Sequence, residues 1–430
     1  MPTDISLTID PSALFADRLG ANGIREDDLM AQSHRLDALR ARIAREYTGK
    51  TPSFLNLPYL TDGADIMRRG ELLARRFKRT CVLGIGGSSL GGEMLVRILG
   101  RGEHAVSFYD NIDPTTLTRL DDYDWRDTLL LVISKSGNTA ETLSQLLTVL
   151  PRLERELGAA RVREQVLVIT GNPAGAIHNL ARELKFEILP HPAVGGRYSV
   201  LSIVGLLPAA IAGVDVAAVI SGARSMVEQC REASLEKNPA FINAVAQYLH
   251  ARQGRRLCVQ IIYADRLRPI SPWFRQLWAE SLGKRDSQGR AQGLTPIVAY
   301  GVTDQHSQLQ LYLQGPDDKQ FTFLVDPSLR GKGASVPDRF SAIPAIAPLV
   351  GHTTGDLFMA EFDATRETLT RHGRPNRTLN LAMNDAYSIG ELIMLLEMET
   401  VVVAELLDID PFDQPAVEEA KLLAREYLTK

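Results

Sequence analysis

Leu129-Leu130-Leu131-Val132-Ile133 is an unbroken apolar run that passes directly into Ser134-Lys135-Ser136-Gly137-Asn138-Thr139. A strand apolar at every position, rather than at alternate ones, is covered on both faces, which implies a parallel sheet between helical layers. A helical pattern follows at once at Leu143, Leu146, Leu147 and Leu150. The turn between the two gathers the hydroxyls of Ser134, Ser136 and Thr139, the Lys135 ammonium and the N–H groups of a helix start. That combination suits a phosphate monoester dianion. Helix capping alone would require one hydroxyl, and this turn supplies three and a lysine.

The same grammar extends in both directions. Strands are expected at 80–85, 105–110, 128–134, 165–170 and 185–190, with helical patterns between them. After a mostly helical stretch at 199–253, further strands are expected at 257–263, 297–300, 321–325 and 378–382. Strands separated by amphipathic helices imply right-handed crossovers and parallel sheets covered on both faces. The fold class is therefore α/β, with two doubly wound parallel sheets and flanking helices. Residues 1–75 read as a helical arm, with Leu36, Leu39, Ile43 and Tyr47 on one face. Residues 76–225 form the first domain, and residues 226–430 the second, ending in a helix that starts near Pro415. The Gly- and Pro-rich stretch 327–344 is the expected mobile loop.

Composition narrows the function classes. A net charge of -4 gives no electrostatic footprint for nucleic acid or an anionic membrane surface. Residues 1–6 lack the basic and apolar regions of a secretory leader, and no apolar run is long enough to cross a membrane. Cys81, Cys230 and Cys258 are odd in number and lack metal-site spacing, so they read as reduced core thiols of a cytoplasmic protein.

The first strand-to-helix turn, Gly84-Ile85-Gly86-Gly87-Ser88-Ser89, lets a ligand approach the backbone closely. It nearly matches the dinucleotide fingerprint, but Ser89 stands where the third glycine belongs, while Asp110 stands about where a ribose-binding acid would. A nicotinamide oxidoreductase is thus an alternative from this turn alone. The hydroxyl-dense turn at 134–139 counts against it, because a dinucleotide fold requires no second anion cradle there.

Gly84-Ile85-Gly86-Gly87-Ser88, followed by residues 134–142, resembles a sugar isomerase domain. Val194-Gly195-Gly196-Arg197-Tyr198-Ser199, Glu280-Ser281-Leu282-Gly283-Lys284 and the stretch from Gln414 to Lys421 narrow the resemblance to the glucose-6-phosphate isomerase family. It runs from about residue 80 to the end of the chain. It implies two sugar isomerase domains and cofactor-free, metal-free interconversion of glucose 6-phosphate and fructose 6-phosphate in glycolysis and gluconeogenesis. It also implies a homodimer.

An aldose–ketose isomerisation must open a ring, move a proton between C2 and C1 and carry an enediol intermediate. The resemblance assigns the proton shuttle to Glu280, which the surrounding aromatics are expected to shield from water. It puts Arg197 beside the enediolate, His306 at the sugar ring, delivered across the dimer interface, and Lys421 at ring opening. Gly87, Ser88, Ser134, Lys135, Ser136, Thr139 and Gln414 are implied to hold the phosphate. Leu282 departs from the family's Glu-Ser-Asn-Gly-Lys pattern, which has asparagine there. A non-catalytic sugar-phosphate sensor would keep the phosphate turn without the base, so the joint presence of Glu280, Arg197, His306 and Lys421 argues against that reading. No His and carboxylate cluster has the ligand spacing of a metal-dependent isomerase.

Overall fold

The computed structural model describes residues 7–232, 234–381 and 385–430. The chain opens with a short strand, β1 (Leu7–Asp10). Strands β2 (Arg79–Leu83), β3 (Ala105–Tyr109), β4 (Thr128–Ser134), β5 (Val166–Thr170) and β6 (Glu187–Pro190) then form a parallel sheet in the order β3-β2-β4-β5-β6. Every residue of β4 is buried. Leu129, Leu131 and Ile133 enter the large central core, while Leu130 and Val132 enter a second apolar layer on the other face. That division is why the run is apolar at every position.

Strand β2 is flanked by β3 on one side and β4 on the other, so the connections leave in opposite directions. A crevice opens at such a switch point, beyond the carboxyl ends of the strands. The turn that follows β2 and the turn that follows β4 both emerge there.

The second sheet contains β7 (Leu257–Tyr263), β8 (Thr295–Tyr300), β9 (Lys319–Val325) and β10 (Asn376–Leu381). Its order is β1-β10-β9-β7-β8, parallel except at its edge. There β1 runs antiparallel to β10, with Leu7 opposite Leu381. The arm is therefore not purely helical, because its first described residues complete the second sheet. The rest of it is a cover: Leu36, Leu39 and Ile43 are buried against the central core, as the helical spacing requires. Ala382, the expected end of β10, lies outside the described residues.

Between the sheets lies the helix Ala386–Leu407, buried along nearly its whole length. A helix apolar on all sides is stable in water only when neighbours cover every side. Here the helices Val216–Cys230, Pro239–Arg252 and Ile270–Leu282 pack against it. The central core draws on both sheets, with Val82 and Leu131 from the first and Ile262 and Leu324 from the second. Cys81, Cys230 and Cys258 are free thiols in the interior, and burial pushes the last two up to about 12. Residues 331–350 form a largely exposed excursion. It is tied at its base by the Val336 N–H donating to the His352 carbonyl at 2.9 Å. Among the described residues, no helix is long and apolar enough to cross a membrane.

Candidate active site

Two turns at the switch point of the first sheet begin the site. After β2 the backbone is pressed against the turn Gly196–Tyr198: a Cβ on Gly87 would lie 2.2 Å from the Gly196 carbonyl carbon. Only glycine permits that approach, which brings Arg197 to the mouth of the crevice. After β4, Gly137 takes a left-handed conformation, φ +66°, and turns the chain into the helix Ala140–Leu157. Thr139 occupies the position before that helix, yet its hydroxyl makes no capping bond. It pairs with the Ser134 hydroxyl at 2.9 Å, while the Ser136 hydroxyl accepts from the Asn138 N–H at 3.2 Å. Lys135 is exposed at the tip of the turn. Desolvation and then the charge of Arg197 lower its ammonium pKa.

Arg197 is the hub. Its side chain is 1% exposed, and all five of its N–H groups are engaged. Nε donates to Ser281 Oγ at 2.8 Å, and Nη1 donates to Glu280 Oε2 and Gln414 Oε1, both at 3.0 Å. Nη2 donates to the Pro411 carbonyl at 2.5 Å and the Asp413 carbonyl at 2.9 Å. Glu280 and Ser281 are adjacent near the end of the helix Ile270–Leu282. The Glu280 side chain remains 34% exposed, so the aromatics around it shield it only in part. Gln276, one turn earlier, donates to Glu280 Oε1 at 3.3 Å. Its amide also lies against Gly86, since a Cβ there would sit 2.9 Å from Gln276 Nε2. Gln276 thus bridges the first turn and the carboxylate.

His306 and Lys421 are elsewhere. His306 is exposed on the short turn Thr303–His306 and makes no hydrogen bond or ion pair with any described residue. Its turn is clamped by Asp304, which accepts from the Tyr300 N–H at 2.7 Å and the Ser307 hydroxyl at 2.6 Å. Lys421 lies on the wholly exposed helix Glu418–Thr429 and pairs with Glu418 at 2.7 Å. The sequence expectation groups Gln414 with the phosphate residues, whereas its side chain meets the Arg197 guanidinium. Among the described residues, no group of three or more His, Cys, Asp or Glu is arranged to hold a metal ion.

Residues 67–430 match the family model for phosphoglucose isomerase. The chain belongs to the phosphoglucose isomerase family. A glucose-6-phosphate isomerase of Carboxydothermus hydrogenoformans is 37% identical over 98% of this chain and 96% of its own length. One of Rubrobacter xylanophilus is 41% identical over 79% of this chain and 80% of its own. The structure of a hypothetical protein from Thermus thermophilus superposes with a TM-score of 0.86 at 32% identity, covering 99% of this chain and 100% of that one. A Chlamydia trachomatis glucose-6-phosphate isomerase shares the fold, with a TM-score of 0.79 at 18% identity over 97% of this chain and 91% of its own.

Three residues that complete the candidate site receive no role from the sequence. Gln276 carries no marker of its own, although a spacing of four on a helix puts it beside Glu280, and Ser281 stands out only as part of the motif that carries Glu280. Lys284 stands out only as part of a motif. It donates to the Asp410 carbonyl, to the Asp413 carbonyl at 2.6 Å and to Asp413 Oδ1 at 2.5 Å. Arg197 and Lys284 together fasten residues 410–414 over the site. Leu282, where the family pattern has asparagine, is fully buried in the central core.

Proposed function

We propose that this chain interconverts glucose 6-phosphate and fructose 6-phosphate through ring opening and an enediolate, with no cofactor, as an enzyme of glycolysis and gluconeogenesis in the cytoplasm. The observation that carries the reading is the meeting of Glu280 with Arg197 beside two anion-suited turns at one sheet's switch point. Family membership supplies the substrate pair. The chain is read as a helical arm (1–75), a first sugar isomerase domain (76–225) and a second one (226–430), with β1 lending the second sheet its edge. A coupled assay for fructose 6-phosphate conversion in the presence of a chelator tests the function, and absence of turnover would reject it.

The phosphate is held by Gly87, Ser88, Ser134, Lys135, Ser136 and Thr139. Remote binding energy from that group fixes C1 and C2 against Glu280. Glu280 takes the proton from one carbon and returns it to the other. Because the Arg197 N–H groups are already engaged, the enediolate oxygen must displace a present acceptor, and Gln414 is the neutral one on Nη1. Exchanging a neutral acceptor for an anionic oxygen strengthens the bond only as charge develops, which favours the transition state over the ground state. Replacing Ser136 and Thr139 together by Ala removes two phosphate donors. At about 1.5–3 kcal/mol for each charge-assisted bond, KM should rise at least about tenfold. An unchanged KM and kcat would send the phosphate elsewhere.

His306 and Lys421 assist ring opening, and His306 is supplied by the second subunit of a homodimer. Support comes from the exposed imidazole, without a partner among the described residues, on a rigidly clamped turn that leaves it free to engage a surface beyond its own chain. Inactive His306→Ala chains mixed with inactive Glu280→Gln chains should then regain activity, since a heterodimer contains one site with both residues intact. Subunit exchange proved by native mass spectrometry without recovery would place each His306 in its own chain's site.

A further inference from the structure

The turn that carries His306 is fastened by a buried side chain that the mechanism above leaves unused. Tyr263 is the last residue of β7 and is 0% exposed. Its ring sits among Phe323, Phe358 and Phe362, at centroid distances of 6.0, 5.5 and 5.2 Å. Gly301, just past the end of β8, lies against the same ring: a Cβ there would stand 2.4 Å from Tyr263 Cζ. Close packing on these sides fixes the axis of the phenol, and with it the place of the hydroxyl.

That hydroxyl is used in both directions. It donates to Thr365 Oγ1 at 3.1 Å, on the helix Thr354–Arg371, and accepts from Gln305 Nε2. Burial raises the phenol above its ordinary value, so at neutral pH it remains a hydroxyl with a proton to donate. Gln305 Nε2 also donates to the Glu361 carbonyl at 3.3 Å, on the same helix, so both protons of the amide are engaged. Gln305 is thereby tied to a strand end and to a helix, and it immediately precedes His306. On either side, the Asp304 carboxylate holds the Tyr300 N–H and the Ser307 hydroxyl. Asp304, Gln305 and Ser307 all spend their side chains on groups of their own chain, whereas His306 bonds to no described residue. A turn fastened at these points presents its one unused imidazole at a set place.

We propose that Tyr263 and Gln305 are positioning residues for ring opening: the buried phenol hydroxyl fixes the Gln305 amide, and the amide fixes the turn that presents His306 to the sugar. Both act through His306. The inference rests on the reading in which His306 assists ring opening, in whichever subunit's site it acts.

The test compares two ketoses. Fructose 6-phosphate closes its ring by joining O5 to C2. 5-Deoxyfructose 6-phosphate lacks O5 and has O6 blocked by the phosphate, so it stays open and requires no ring opening. Tyr263→Phe keeps the packed ring and removes only the hydroxyl. With fructose 6-phosphate its kcat should fall about tenfold, as expected when a catalytic group is displaced by less than about 1 Å. KM should stay within about twofold, because the phosphate turns are untouched. With the 5-deoxy ketose, kcat should remain within about twofold of the wild-type value on that substrate. A merely loosened fold would slow both ketoses alike. Gln305→Met removes the other end of the same bond from a half-buried position and should show the same split, so it serves even where Tyr263→Phe does not fold. A folded Tyr263→Phe or Gln305→Met enzyme with wild-type kcat on fructose 6-phosphate, or with an equal loss on both ketoses, would overturn the proposal. A His306→Ala enzyme slowed as much on the 5-deoxy ketose as on fructose 6-phosphate would instead remove the reading on which the proposal rests.

Discussion

Glu280→Gln should lower kcat by at least about a hundredfold and leave KM nearly unchanged, because general-base catalysis is worth roughly that much and the phosphate turns are untouched. The amide fills the same space and can still accept from Arg197 Nη1, as the carboxylate does at 3.0 Å. What it cannot do is take a proton from carbon. Glu280→Asp should also be slow, since the shorter side chain withdraws the carboxylate from its carbon by about one methylene. It would also leave Gln276, which donates to Oε1 at 3.3 Å, without its partner.

Isotope exchange tests the same assignment in the unmodified enzyme. A single carboxylate base serving both carbons would hold the migrating proton long enough to trade it with water. Substrate recovered from deuterated water should therefore carry deuterium on carbon, whereas a hydride shift would carry the hydrogen across unexchanged. Unlabelled substrate together with a fully active Glu280→Gln variant would rule out Glu280 as the base.

The sheets are legible in the sequence because burial on both faces leaves a periodicity that an exposed face does not imitate. β4, apolar at each of its central positions, is expected at 128–134, where it lies. β1 is not legible: four residues, Leu7–Asp10, carry too short a pattern, and their pairing with β10 is settled across most of the chain's length. The helix Ala386–Leu407 is also hidden, since its three buried glutamates look like a solvated face until their surroundings are known.

The site divides along the same line. Arg197 and Glu280 are marked by motifs, but nothing local says that two residues 83 positions apart touch. The contact of Gln414 with Arg197 is hidden for the same reason, because it depends on how residues 410–414 fold back over the helix Ile270–Leu282. The resemblance assigns Lys421 to ring opening, and within the chain its bond is the ordinary pairing with Glu418 on its own helix. A helical spacing of three gives that exposed pair without any tertiary information.

Arg197→Lys should be nearly as damaging as removing the base, although it keeps the charge. The arginine serves five acceptors in one plane: a serine hydroxyl, a carboxylate, an amide oxygen and two main-chain carbonyls. An ammonium offers three donors from a single point, so it cannot reach both Ser281 on one side and the Pro411 and Asp413 carbonyls on the other. Buried at 1% exposure, it would have little water to compensate it. A drop in kcat of about a hundredfold or more is expected from the loss of a preorganised oxyanion donor. That corresponds to roughly 2.7 kcal/mol of transition-state stabilisation. Residues 410–414 should lose protection in hydrogen exchange as well, since Lys284 alone would hold them. A site that used only the positive charge of Arg197 would tolerate the lysine. A kcat within about threefold of wild type, with protection at 410–414 intact, would therefore reduce Arg197 to a point charge and dismiss the forked arrangement as the working part of the site.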